Sequence, residues 1–152
     1  MKLHLGVIDL PYAQAPSKRR RKKISAGTQT TGDVAGWLEN DYHVMEHFWA
    51  LHSGEVVQAL EGSLQGAIDN MIMGAPMSAS AFGSAESAIE DRFKRMLSER
   101  ELDVLGFPGI PTAAAQAGVS HRRKRPSVKR GPRPSFIDTG LYQASFKAWV
   151  ET

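Results

Sequence analysis

Cysteine is absent from the 152-residue chain. That excludes disulfides, thiolate metal ligation and a cysteine nucleophile together. No apolar run approaches the roughly 20 residues that a membrane span needs, and Pro11 interrupts the opening Met1-Lys-Leu-His-Leu-Gly stretch too early for a secretory leader. The glycines Gly62, Gly66 and Gly74 fall within or at the end of a helical pattern, and none leads into Gly-Lys-Ser/Thr, so a phosphate-cradling loop is not encoded. Gly-x-Ser-x-Gly spacing is also missing, which leaves a serine hydrolase without support. What remains is one soluble domain made in a cytoplasm, with no cofactor expected and no membrane partner.

Charge is plentiful but segregated. Residues 1–30 carry seven Lys/Arg against one acid, residues 31–105 four against thirteen, and residues 106–152 eight against two. A net charge of +3 therefore conceals an acidic body with two basic arms, an asymmetry suited to polyanions or to the acidic face of a neighbouring copy.

The expected fold class is α+β: a helix-rich body of three main helices, short terminal strands and two extended basic arms. Residues 1–11 read as a strand, with Leu3 to Leu10 rich in branched residues before Pro11 stops it. Residues 12–32 form the first arm, around Lys18, Arg19, Arg20, Arg21, Lys22 and Lys23, with no period that buries a face. The helical body spans 33–118. Asp33 is the expected cap of a first helix carrying Val34, Trp37, Leu38, Met45, Phe48 and Trp49 on one side and reaching His52. Ser53-Gly54 is the expected break, followed by a second pattern through Val56, Val57, Leu60, Leu64, Ala67, Ile68, Met71 and Ile72. The two are read as antiparallel neighbours or as one helix kinked at Gly54, and the Trp37-to-Met73 stripe as core. Ser84 is the expected cap of a third helix with Ile89, Phe93, Met96 and Leu97 inward, and Thr112 of a brief Ala113-to-Ala117 helix ended by Gly118. Residues 119–134 form the second basic loop, with Arg122, Arg123, Lys124, Arg125, Lys129, Arg130 and Arg133 among prolines. In residues 135–152, Asp138 or Thr139 caps a turn at Gly140, and a turn of helix runs into a strand at Phe146 to Val150. The terminal strands pair with each other or with neighbouring subunits.

Two features carry possible chemistry. His43-Val-Met-Glu46-His47 matches the inverted zinc-protease pattern H-x-x-E-H, in which two histidines share a metal and the glutamate activates its water. No third ligand is evident, and these residues fall on the polar side of an amphipathic helix, so a solvated face is the preferred reading and a zinc-dependent hydrolase the alternative. The basic runs, in contrast, offer charge without interleaved aromatics or a helical period. They fit contact with phosphates or acidic protein better than sequence readout.

The run Pro134-Ser-Phe-Ile-Asp138-Thr139-Gly140-Leu141-Tyr-Gln-Ala-Ser145-Phe resembles the "P-x-D/R-T-G-x-L-x-x-S" element of tail-completion and neck proteins of tailed bacteriophages. In this chain Leu141 follows Gly140 directly. The order of parts is similar too: helices, a basic loop, the Asp-Thr-Gly-Leu element and a closing strand. The resemblance implies a small, non-enzymatic virion protein that forms a ring, hexameric or dodecameric, between the portal-bearing head and the tail. Head or portal-side proteins, tail-tube proteins and nonspecifically contacted DNA in the channel are the partners it implies. A tail terminator or another tail structural protein is the nearest alternative. Arms that order on assembly suit such a ring.

Overall fold

The computed structural model describes residues 2–11, 29–76, 80–118, 131–138 and 140–151. Its elements are β1 (Lys2–Val7), α1 (Thr31–Tyr42), α2 (Val44–Ile72), α3 (Gly83–Ser98), α4 (Glu101–Leu105), α5 (Ala113–Gln116), α6 (Leu141–Ser145) and β2 (Phe146–Glu151). The fold class is α+β as the sequence implies, helix-rich with a two-stranded terminal sheet. Within the chain β1 and β2 pair antiparallel, from Lys2 opposite Glu151 to Val7 opposite Phe146.

Alternation decides what the sheet buries. Leu3, Leu5 and Val7 pack against the core beside buried Phe146 and Ala148, whereas His4 and Trp149 stack on the opposite face with ring centroids 5.3 Å apart. The core itself is built where α2, α3 and β2 meet. Phe93 lies flat on Phe146 at 3.9 Å, and Phe48 presents its edge to both. Ile89, Phe93, Met96 and Leu97 of α3 all turn inward, as their spacing predicts.

Several expected boundaries move. Thr30, not Asp33, caps α1; its side chain accepts from the Asp33 amide while the Asp33 carboxylate accepts from the Thr30 amide, a reciprocal capping box. The break between the first two helices falls at His43, in left-handed conformation at φ 50, and α2 continues through Ser53-Gly54. An exposed glycine inside a helix costs only about 1 kcal/mol, too little to end one whose neighbouring turns are anchored in the core. At His43 the interruption is supported: the Glu39 carboxylate accepts the Met45 amide at 2.7 Å and the Glu46 amide at 3.3 Å, meeting donors that the first turn of α2 leaves open. α3 begins at Gly83 without a side-chain cap. Ser84 instead bonds its hydroxyl to that of Ser63 on α2 at 2.9 Å. Arg100, also left-handed, separates α3 from α4. Thr112 caps α5 as expected.

The reading of Trp37 to Met73 as core is corrected for its larger part. Val44, Phe48, Val56 and Ala67 are buried, but Trp37, Trp49, Val57, Leu64, Ile68, Met71, Ile72 and Met73 are exposed. Helical spacing identifies one face; it does not say whether the chain owns a second surface to cover it.

The end of β1 is tied to the start of α1. Buried Thr31 accepts the Leu10 amide at 2.8 Å and donates its hydroxyl to the Ile8 carbonyl, while Pro11 bridges Thr30. Asp9 accepts the Gly32 amide at 3.0 Å, and a Cβ on Gly32 would stand 2.9 Å from that carboxylate. The Thr30 side chain and the Gly32 amide, as hydrogen-bond partners, hold the Asp9 carboxyl below its ordinary value.

Candidate functional site

The carboxyl-terminal element sits at a junction of four helices. The Arg133 amide donates to the Ala115 carbonyl at 3.1 Å, and its guanidinium donates to the Ile137 carbonyl at 2.6 Å while facing the Asp138 carboxylate at 3.8 Å. Arg100 donates to the Pro132 carbonyl, the Ser135 hydroxyl accepts the Thr112 amide, and the Ser135 amide donates to the Asp103 carboxylate. The stretch around Pro134 is thereby stitched to α4 and α5. Phe136 takes a left-handed φ of 66 and packs its ring 5.2 Å from Tyr42.

Gly140, at φ 78, redirects the chain into α6, where Leu141 is the first residue and Ser145 the last. Gly140 itself holds the cap position of this short helix and has no side chain to cap with. Ser145 is buried; its hydroxyl donates to the Tyr142 carbonyl, and its own carbonyl accepts the Ile8 amide at 2.7 Å. The Gln143 amide reaches back to the Lys94 carbonyl and the Ser98 hydroxyl. The motif residues Pro134, Asp138, Gly140, Leu141 and Ser145 therefore lie along one stitched segment that delivers β2 to β1. Beside it Arg133, Phe136, Asp138, Gly140 and Tyr142 share a cavity of about 280 Å³ with Val34, Leu38 and Tyr42 of α1. Thr139 lies outside the described residues, as do Lys18, Arg19, Arg20, Arg21, Lys22, Lys23, Arg122, Arg123, Lys124, Arg125, Lys129 and Arg130.

The H-x-x-E-H match lies across the α1–α2 break and not along one helix. Among the described residues the group of three potential ligands within 4.8 Å of one another is Glu39, His43 and Glu46. His47 is outside it, stacked on Phe107 with ring centroids 3.6 Å apart. Glu39 is already engaged by the amides of α2, and His43 pairs with Glu46 at 3.2 Å. The arrangement is one that helix capping and surface pairing account for in full.

A charged knot that sequence reading missed joins α2, α3 and α4. His52, buried in α2, places Nδ1 3.3 Å from Glu55 and Nε2 2.9 Å from Glu101, though the latter contact lacks hydrogen-bond direction. Arg92 of α3 reaches Glu55 at 3.1 Å and Glu101 at 2.8 Å. Burial opposes ionisation of Glu55, but the hydrogen bond and charge of Arg92, joined by His52, outweigh it and hold the carboxyl below its ordinary value. Desolvation likewise works against the Arg92 cation; Glu101 first and Glu55 second outweigh it and push its pKa up. The signal available in the sequence was only an i, i+3 His-Glu pair on a helix, without the partners from elsewhere.

The remaining feature is the outward side of α2. Between Val57 and Ile72 the large apolar side chains Leu64, Ile68 and Met71 are 40%, 46% and 53% exposed, and Ile72 79%. No family model, curated protein or solved structure matches the chain.

Proposed function

We propose that this chain is a bacteriophage virion structural protein that assembles into a ring at the neck or head–tail junction, joining the portal side to the tail around the DNA channel. It is a non-enzymatic scaffold in this reading. The observation that carries it is the outward face of α2, where Val57, Leu64, Ile68, Met71 and Ile72 form an exposed apolar stripe of a kind that marks an interaction surface. The resemblance of Pro134 to Ser145 to the tail-completion element adds the setting. So does the use made of that segment: it closes both chain ends into one sheet, leaving the helices to meet neighbours.

A ring repeats one heterologous contact around an axis until it closes. Opposite charge on body and arms gives each copy both halves of such a contact. The arms also suit contact with channel DNA through phosphates, which adds affinity that falls steeply with salt.

The test is the particle and the purified chain together. Detection of the chain in intact phage particles by mass spectrometry, with density for it at the neck, and closed rings of the isolated protein by electron microscopy are the expected results. A chain that stays monomeric at every concentration and is missing from particles sinks the reading. Rings located at the far end of the tail tube would favour the terminator alternative instead.

A further inference from the structure

We infer that the outward face of α2 between Val57 and Ile72 is the seat for the Lys18–Ile24 segment of a neighbouring copy. This rests on the assembly reading above and deepens it by naming the contact. Residues 24–91 contain ten acidic residues and not one Lys or Arg. Within α2 the charges are Glu46, Glu55, Glu61 and Asp69, so the helix that carries the stripe supplies carboxylates and no cation of its own.

That charge pattern selects the occupant. Two α2 faces laid together would bring the carboxylates of both copies to one seam, a like-charge arrangement without relief. Nucleic acid and anionic lipid are disfavoured on the same ground. A basic segment with long methylene stems fits both features, since Lys and Arg lay their stems on apolar surface while their heads meet carboxylates. Lys18-Arg-Arg-Arg-Lys-Lys-Ile24 supplies six consecutive cations and then an apolar side chain.

Length agrees with charge. The stripe from Val57 to Ile72 covers about 22 Å at 1.5 Å per helical residue, and seven extended residues reach about 23 Å. Pro11 and Thr30 are bridged at the body. Midway between those two pinned ends stand Arg20 and Arg21, which gives the basic run a reach of up to about 30 Å from the anchor. The second basic run is interrupted by Pro126-Ser-Val and is tethered over fewer residues, between Gly118 and Gly131. It matches the stripe less well.

The absence of cysteine makes the contact directly testable. Chains carrying only Ile68→Cys and chains carrying only Arg21→Cys are purified, checked for native helicity and mixed under mild oxidation. The expected product is a mixed disulfide dimer that is lost at about 1 M salt, where screening acts within about 3 Å, and lost when Glu61→Lys and Asp69→Lys accompany Ile68→Cys. Efficient dimers of Ile68→Cys chains alone would show two α2 faces meeting and overturn the inference. So would an internal disulfide in a doubly substituted monomer when the mixed singles give none, because the segment would then cover its own helix. No disulfide in any arm also overturns it. Particle localisation is a separate readout: cross-linking by a chain missing from phage particles refutes the neck reading alone, whereas a neck ring without the cross-link refutes this contact alone.

Discussion

The two halves of α2 differ in what they place on the inward side. From Val44 to Val56 the side chains Val44, Phe48, His52 and Val56 turn inward at four-residue spacing, while Trp49 and Leu51 are exposed. Beyond Val56 the buried positions are Ser63 and Ala67, which with Gly62 and Gly66 face Ala81 and Ser84 across a cavity of about 500 Å³; Leu60 packs partly buried against the core, and the large residues Leu64, Ile68 and Met71 turn outward. The first half builds the core of one chain. The second holds α3 through small residues and leaves its large apolar side chains on the outside. Hydrophobic content alone does not define a core; what matters is which side the bulky members occupy.

The largest effect expected from this contrast comes from Phe93→Ala. Phe93 is fully buried between Phe48 and Phe146, and its truncation should cost about 3–5 kcal/mol in denaturant unfolding. Ile68→Ser, in the second half, should change unfolding by less than about 1 kcal/mol while reducing self-association. Equal costs at the two positions would mean that the outward face is packed within a single chain after all.

Arg92→Met comes next, at about 2 kcal/mol, because it strips the cation from Glu101 and Glu55 beside buried His52 in the first half. Its pH signature is specific. Glu55 has a carboxyl held below the ordinary 4.5, so its contribution is fully present above that value and disappears as pH falls through the lowered one. Stability measured from neutral pH down to acid should therefore decline less steeply in Arg92→Met than in the unaltered chain. An identical acid slope in both would show that the knot contributes no linked protonation.

What the sequence disclosed follows the range of the interactions involved. The inward face of α3, the Thr112 cap and the helix turn leading directly into β2 were legible because their causes lie within a few residues. Thr30 was missed as a cap because Asp33, its reciprocal partner three residues later, is also a good cap former. The His43 break depends on a carboxylate four residues earlier serving the next helix, and the His52 knot on charges from two other elements. The stripe on α2 was legible as a stripe. Its direction was not, since that depends on whether α3 or a neighbour covers it. The motif around Asp138 was visible as residue types, but its work as a stitch between α4, α5 and β1 needed the partners Ala115, Asp103 and Ile8.

Gly140→Ala tests that stitch at smaller scale. No atom crowds a Cβ at this position, so the penalty arises from φ 78 alone, about 1–2 kcal/mol for an L-residue held left-handed. For a chain of this length that corresponds to a fall in Tm of roughly 2–8 °C. The proposed association through the second half of α2 should persist in the folded fraction, which separates closure of the sheet from that contact.

The smallest effect should have the opposite sign. Gly54 lies between the two halves, exposed, with negative φ and no atom within 4 Å of the place a Cβ would take. Alanine there removes the entropy cost of a helical glycine and adds no clash, so Gly54→Ala should stabilise the chain by about 0.5–1 kcal/mol. It should also leave the cross-link between Ile68→Cys and Arg21→Cys chains intact. A hinge at Ser53-Gly54 would instead lose stability on substitution, since its glycine would occupy backbone angles that alanine resists. The sign of one small number thus decides whether the inward and outward halves belong to a single rigid rod, in which the packing of the core also fixes the direction of the outer face.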